Sequence, residues 1–73
     1  MALIQVKMIE DVFSAEQKKE LITKLTDVVV SIGGEGIRPV TWVTFEEVRS
    51  GFWGIGGQAM TSEAVHKAVR SSK

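Results

Sequence analysis

The stretch from Ser14 to Gly34, SAEQKKELITKLTDVVVSIGG, decides the fold of this 73-residue chain. Ser14 and Gln17 have the S-x-x-Q spacing of a capping box, in which the serine hydroxyl accepts a bond from an early helix N–H and the glutamine reaches back. Beyond them Leu21, Ile22, Leu25, Val28, Val29 and Ile32 recur at spacings of three and four, the single apolar stripe of an amphipathic helix. Lys18, Lys19, Glu20, Lys24 and Asp27 fall mostly off that stripe. Gly33-Gly34 ends the pattern, as glycine past a helix C-terminus does. The run Val28-Val29-Val30 lowers intrinsic helix propensity, which burial of the stripe overrides.

Upstream, Leu3 to Ile9 (LIQVKMI) alternates: Ile4, Val6 and Met8 share one face, Gln5 and Lys7 the other, the period of a half-buried strand. The strand begins almost where the chain begins, so the sheet holds the terminal amine. Glu10 to Phe13 connect it to the helix. Downstream, Glu35 to Pro39 read as a loop and Val40 to Val48 (VTWVTFEEV) as a second strand rich in β-branched and aromatic residues. Val43 and Phe45 take one face of it and Val40, Trp42 and Val48 the other; one covers the helix and the other meets a site or another subunit. Arg49-Ser50-Gly51 turns the chain. The segment Phe52 to Gly57 holds too much glycine for an ordinary strand and makes a short β-turn or hairpin. Thr61 caps a short final helix with Ala64, Val65, Ala68 and Val69 on one side, and Ser71 to Lys73 fray.

Strand, helix and strand make an α/β (α+β) domain, a β-α-β unit over residues 1–73 whose crossover makes the strands parallel and right-handed. Two strands are a poor sheet, and a second copy would make four. The composition points the same way. Hydrophobic residues are 44% of the chain, including two Trp and three Phe, with no cysteine to staple the fold. A domain this short cannot hide so much apolar surface alone, and oligomerisation is the usual remedy. Nine basic residues balance nine acidic ones, without the basic excess of a phosphate-binding surface, so nucleic acid is set aside. No apolar run reaches membrane-span length and the N-terminus lacks a signal-peptide pattern, so a cytoplasmic protein is expected.

A strand starting at residue 2, the run Ser14-Ala15-Glu16-Gln17-Lys18 and the segment Gly51-Phe52-Trp53-Gly54-Ile55-Gly56-Gly57 together resemble the 4-oxalocrotonate tautomerase family, over roughly residues 2 to 58. The resemblance implies a β-α-β subunit assembled into a homo-oligomer, typically a hexamer. It implies proton transfer on enols and dienols beside a carboxylate, interconverting small unsaturated 2-hydroxy and 2-keto acids without cofactor or metal. The family's base is an N-terminal proline, arginines hold the substrate oxygens, and an aromatic residue before Gly-Ile-Gly-Gly walls the pocket. Trp53 matches that wall. Ala2 stands at the proline position. Neither Val12 nor Phe13 supplies the arginine expected before the helix, where the turn is one residue longer, and Trp42 aligns with the second arginine. Arg38 and Arg49 flank that strand and are the candidates to hold the carboxylate, with Trp42 and Trp53 excluding water.

A general base works best with a pKa near the working pH, and an α-amino group ordinarily titrates at about 7.7–8.0. With Met1 removed, the Ala2 amine is therefore a plausible base that lacks the proline ring's fixed lone pair, and weakened activity is expected. With Met1 retained, the Ala2 nitrogen is an amide and useless as a base. The rival reading is a non-catalytic partner subunit or a small-acid binding module.

Other residues read as structure. Gly54 to Gly57 lack the Lys and Ser/Thr of a phosphate-binding loop and make a turn in which backbones approach closely. His66, the sole histidine, is expected at the surface. Glu46 and Glu47 point to opposite faces of a strand and form no acid–base pair. Ser14 is a cap, with no histidine near to activate it.

Overall fold

The computed structural model describes residues 1–71. They form β1 (Ala2–Ile9), α1 (Ala15–Gly33), a 3-10 helix (Glu35–Val40), β2 (Thr41–Val48), a hairpin of β3 (Trp53–Ile55) and β4 (Gln58–Met60), and α2 (Ser62–Ser71). β1 and β2 are parallel, in register from Ala2 opposite Thr41 to Ile9 opposite Val48, as a helical crossover requires. Ile4, Val6, Met8, Val43 and Phe45 are half-buried on the inner face, while Leu3, Gln5, Lys7, Trp42, Thr44 and Glu46 are exposed on the outer one. Glu47 breaks the alternation of β2: its Oε1 takes a 2.7 Å ion pair from Lys18 of α1, which ties the helix to the end of the strand.

The cap of α1 forms as its spacing requires. Gln17 N–H donates to Ser14 Oγ at 3.1 Å, and Ser14 N–H donates to Gln17 Oε1 at 2.9 Å. The apolar stripe divides, however. Leu21, Leu25 and Val29 are half-buried and Val30 is the helix's one buried residue, whereas Val28 is 58% and Ile32 86% exposed. The sheet is narrow and covers only one side of the helix, so Val28 and Ile32 lie on an uncovered flank with Leu21 and Leu25 at its edge.

Glu35 to Val40, expected as loop and strand start, are wound into a 3-10 helix. Thr41 Oγ1 donates to Ile37 O at 2.8 Å, and Arg38 bonds back to Glu35; these local bonds hold the turn although Pro39 contributes no N–H. β3 and β4 pair antiparallel, with Ile55 opposite Gln58. The two residues between, Gly56 and Gly57, have φ of 56° and 82°, the primed turn that two-residue hairpins favour and that glycine adopts without strain. No atom of another segment lies within 4 Å of where a Cβ on Gly54, Gly56 or Gly57 would stand. Positive φ, rather than close backbone approach, is thus what requires glycine at 56 and 57. Thr61 caps α2, accepting from Ala64 N–H at 3.1 Å. Ser71, expected to fray, closes that helix with its hydroxyl on Lys67 O at 2.9 Å; Ser72 and Lys73 lie outside the described residues.

The core is small. Ile9 and Val30 are the buried hydrophobic residues among those described. The radius of gyration is 15.0 Å, against about 11 Å for a compact globule of this length. No helix among the described residues is long and apolar enough to cross a membrane.

Candidate active site

The five expected site residues fall at two ends of the sheet. Ala2, half-buried, opens β1 opposite Thr41. Trp42 lies beside Leu3 on the outer face, both 57% exposed, and Arg38 precedes β2 at the same end. Arg49 and Trp53 follow the far end of β2. Seven residue steps of strand separate the ends, about 23 Å at the usual rise. Within one copy, Ala2 therefore does not meet Trp53.

The two arginines differ in engagement. Arg38 Nη1 contacts Asp27 Oδ1 at 2.8 Å, and its Nε and Nη2 donate to the two Glu35 oxygens at 3.2 and 3.0 Å. The hydrogen bond from Arg38, then its charge, holds the Glu35 carboxyl below the ordinary glutamate range. The bonds to Glu35 and Asp27 raise the guanidinium further above its already high value. Two carboxylates thus occupy the donors of Arg38. Arg49 is exposed and its side chain makes no ion pair among the described residues.

The far end also holds a cavity of about 330 Å³. β1 contributes Lys7, Met8 and Ile9; the turn before α1 contributes Val12; the hairpin contributes Trp53, Ile55 and Met60; and α2 contributes Val65. Seven of these eight are apolar, so the cavity suits the hydrocarbon part of a ligand, with Lys7 its one charged lining residue. Trp53, singled out in the sequence as an aromatic wall, is half-buried in it. Of the two residues at which an arginine was sought, Val12 lines the cavity while Phe13 is 38% exposed.

Glu10 fastens this end together. Its N–H donates to Val48 O at 2.8 Å, its Oε2 accepts from Ser50 N–H at 3.0 Å, and its carbonyl accepts from the buried Ser62 hydroxyl at 2.6 Å. Ser62 N–H donates to Ser50 Oγ at 2.9 Å. His66, expected at the surface, is half-buried, with Nε2 2.6 Å from Asp11 O. A carbonyl only accepts, so Nε2 carries the proton and donates. Asp11 itself takes a φ of 63°, a left-handed conformation that aspartate tolerates better than most residues. Sequence reasoning missed Lys7, Val12 and Val65 as lining residues and Glu10, Ser50 and Ser62 as anchors. The strand alternation held a signal for Lys7, and nothing local marked the others.

Among the described residues no group of three or more His, Cys, Asp or Glu is placed to hold a metal ion. Comparison with known proteins fits this geometry. Residues 3–63 match the tautomerase enzyme family. Probable tautomerase K2 of Dickeya dadantii (strain 3937) is 36% identical over 61 residues, covering 84% of this chain and 90% of that protein. The crystal structure of an apo unfused 4-OT superposes with a TM-score of 0.72 at 30% identity, over 88% of this chain and 98% of the other. A 4-oxalocrotonate tautomerase isozyme structure from Methylibium petroleiphilum gives 0.68 at 28% identity, over 86% and 95%. With α1, β2, the glycine hairpin and all of β1 except Ala2 inside the matched span, the chain belongs to the tautomerase family.

Proposed function

We propose that the chain is a tautomerase of small unsaturated 2-hydroxy and 2-keto acids that acts as a homo-oligomer, a hexamer, with each site formed between copies. The observation that carries this reading is the position of Trp53, walling an apolar cavity at one sheet end while Ala2 opens the other. In a family member, a site needs a base beside that wall, and a neighbouring copy supplies it when its Ala2 end abuts this copy's Trp53 end. The exposed Leu3, Trp42, Val28 and Ile32 provide the apolar surface for such contacts.

With Met1 removed, the neutral Ala2 amine takes the proton of the 2-hydroxyl group. The oxygen electron pair becomes the keto π bond, the conjugated double bond shifts, and the ammonium returns the proton to the conjugated carbon. Substrate and product are isomers, so no co-reactant is consumed. Arg49 holds the carboxylate, since Arg38 is already engaged by Asp27 and Glu35. Trp42 and Trp53 keep water from the reacting atoms. Ala2 has a primary amine without a ring to aim its lone pair, which weakens general-base catalysis normally worth about 10²–10⁴-fold.

The test is enol-to-keto conversion of a 2-hydroxydienoate by the chain and by Ala2→Pro, after mass measurement has shown Met1 absent from both. Turnover that rises sharply with proline supports the reading. Equal inertness of both proteins rules it out for this substrate class. A second reading, a non-catalytic partner or small-acid binding module, is favoured by the occupied Arg38 and by Val12 at the cavity wall. It is supported by saturable acid binding without turnover, or by co-purification in fixed ratio with a proline-bearing homologue.

A further inference from the structure

The turn that carries Arg49 is closed by its own backbone and then held from outside. Phe52 N–H donates to Arg49 O at 2.9 Å, and Gly51, third of the four turn residues, has φ of 88°, as a type II turn requires there. The N–H of the second residue, Ser50, has no partner inside such a turn. It donates instead to Glu10 Oε2 at 3.0 Å, a residue 40 positions back. Ser50 Oγ accepts from Ser62 N–H at 2.9 Å, and Ser62 Oγ donates to Glu10 O at 2.6 Å. These bonds close a ring that joins the end of β1, the turn and the start of α2. Glu10 and Ser50 are half-buried and Ser62 is buried, so a group that loses its partner has little water to replace it.

We propose that Glu10 is a positioning residue: through Ser50 N–H it sets the direction from which Arg49 meets the ligand's carboxylate, and Ser62 completes the hold. This deepens the tautomerase reading and rests on Arg49 holding the acid. The Arg49 side chain makes no ion pair among the described residues, so no neighbouring carboxylate fixes its aim. The backbone beneath it does. Arginine grips a carboxylate through a planar fork of N–H donors, a geometry that depends on the direction of approach. The Glu10 carboxylate is engaged by a backbone N–H rather than by the guanidinium, which leaves that fork to the ligand. The ring lies wholly within one copy, so it acts in the same way whichever copy's ligand the arginine meets.

Titration calorimetry with sorbate, a dienoic acid that lacks the 2-hydroxyl group and so cannot react, tests this. Glu10→Ala is expected to raise Kd about fivefold, while Glu10→Gln, whose amide oxygen still accepts from Ser50 N–H, stays within about twofold. On top of Arg49→Ala, Glu10→Ala is expected to change Kd by less than about twofold, because both act through one contact. Equal weakening by Glu10→Ala with and without Arg49 overturns the proposal. So does Glu10→Gln binding as weakly as Glu10→Ala, or sorbate binding every protein alike or none. Circular dichroism checks that each variant folds. Where Glu10→Ala does not, Ser62→Ala makes the same comparison, with Kd raised about twofold or more only when Arg49 is present. Turnover of the 2-hydroxydienoate is measured separately. The sorbate pattern without turnover removes the tautomerase reading and keeps the positioning role, and turnover without the pattern does the reverse.

Discussion

At the residue scale, the two arginines show how much a side chain's neighbours decide. Both flank β2 and look equivalent in the sequence, yet Arg38 is gripped by Asp27 and Glu35 while Arg49 has no ion pair among the described residues. Arg49→Ala is expected to raise KM for the acid about tenfold, the scale of one lost charge-assisted hydrogen bond, whereas Arg38→Ala leaves KM nearly unchanged; steady-state kinetics distinguishes them. The Arg38 cluster acts on stability instead. Glu35 has a depressed carboxyl pKa in the native state, so at acid pH the unfolded chain binds the extra proton. Its contribution is present above the ordinary glutamate value of about 4.3 and is lost as pH falls through the depressed native value. Glu35→Gln is therefore expected to flatten stability against pH between about pH 5 and pH 3, and high salt should shrink the difference because the pair is exposed. Ser62 lies at the other extreme, buried and bonded to Glu10 O. Ser62→Ala is expected to cost about 1 kcal/mol in urea unfolding at fixed protein concentration.

At the element scale, what the sequence made legible were features completed within a few residues. Both bonds of the Ser14–Gln17 box exist, because a cap needs only residues three apart. Ser14→Ala is expected to lower stability by about 1 kcal/mol, seen as a lower urea midpoint with unchanged slope. The glycine turn is equally local. Gly57→Val forces a β-branched residue to φ 82°, at a cost of about 1–2 kcal/mol. Because the hairpin carries Trp53, the same change should also weaken acid binding at the cavity, which calorimetry would register. The stripe of α1 was only partly legible. Periodicity showed that the helix is amphipathic, but with apolar residues on more than one side it did not show that Val30 goes in and Ile32 stays out. That choice depends on the width of the sheet beneath.

At the scale of the whole molecule, one copy leaves its fold unfinished. Two buried hydrophobic residues among those described and a radius of gyration of 15.0 Å describe a chain that has not closed on itself, and small domains short of core are commonly completed by association. Sedimentation is expected to show an oligomer whose thermal midpoint rises with protein concentration. Val28→Lys on the uncovered flank of α1 should shift the population toward smaller species. A wild-type protein that sediments as a stable monomer would remove the basis for sites formed between copies.

The sequence by itself determined the strand–helix–strand order and its closing helix, the helix cap and the glycine turn, and the resemblance it carries singled out Trp53, which lines the cavity. Each depends on short-range periodicity, on a backbone angle only glycine takes easily, or on a motif read in one piece. The tertiary structure decided that Arg38 is occupied, that Ala2 and Trp53 lie at opposite ends of one sheet, and that Val12 and Val65 share a wall. Those facts join residues that are 11 to about 50 positions apart along the chain. They follow from how the parallel register and the Glu10 anchor bring distant segments together, which no local pattern encodes.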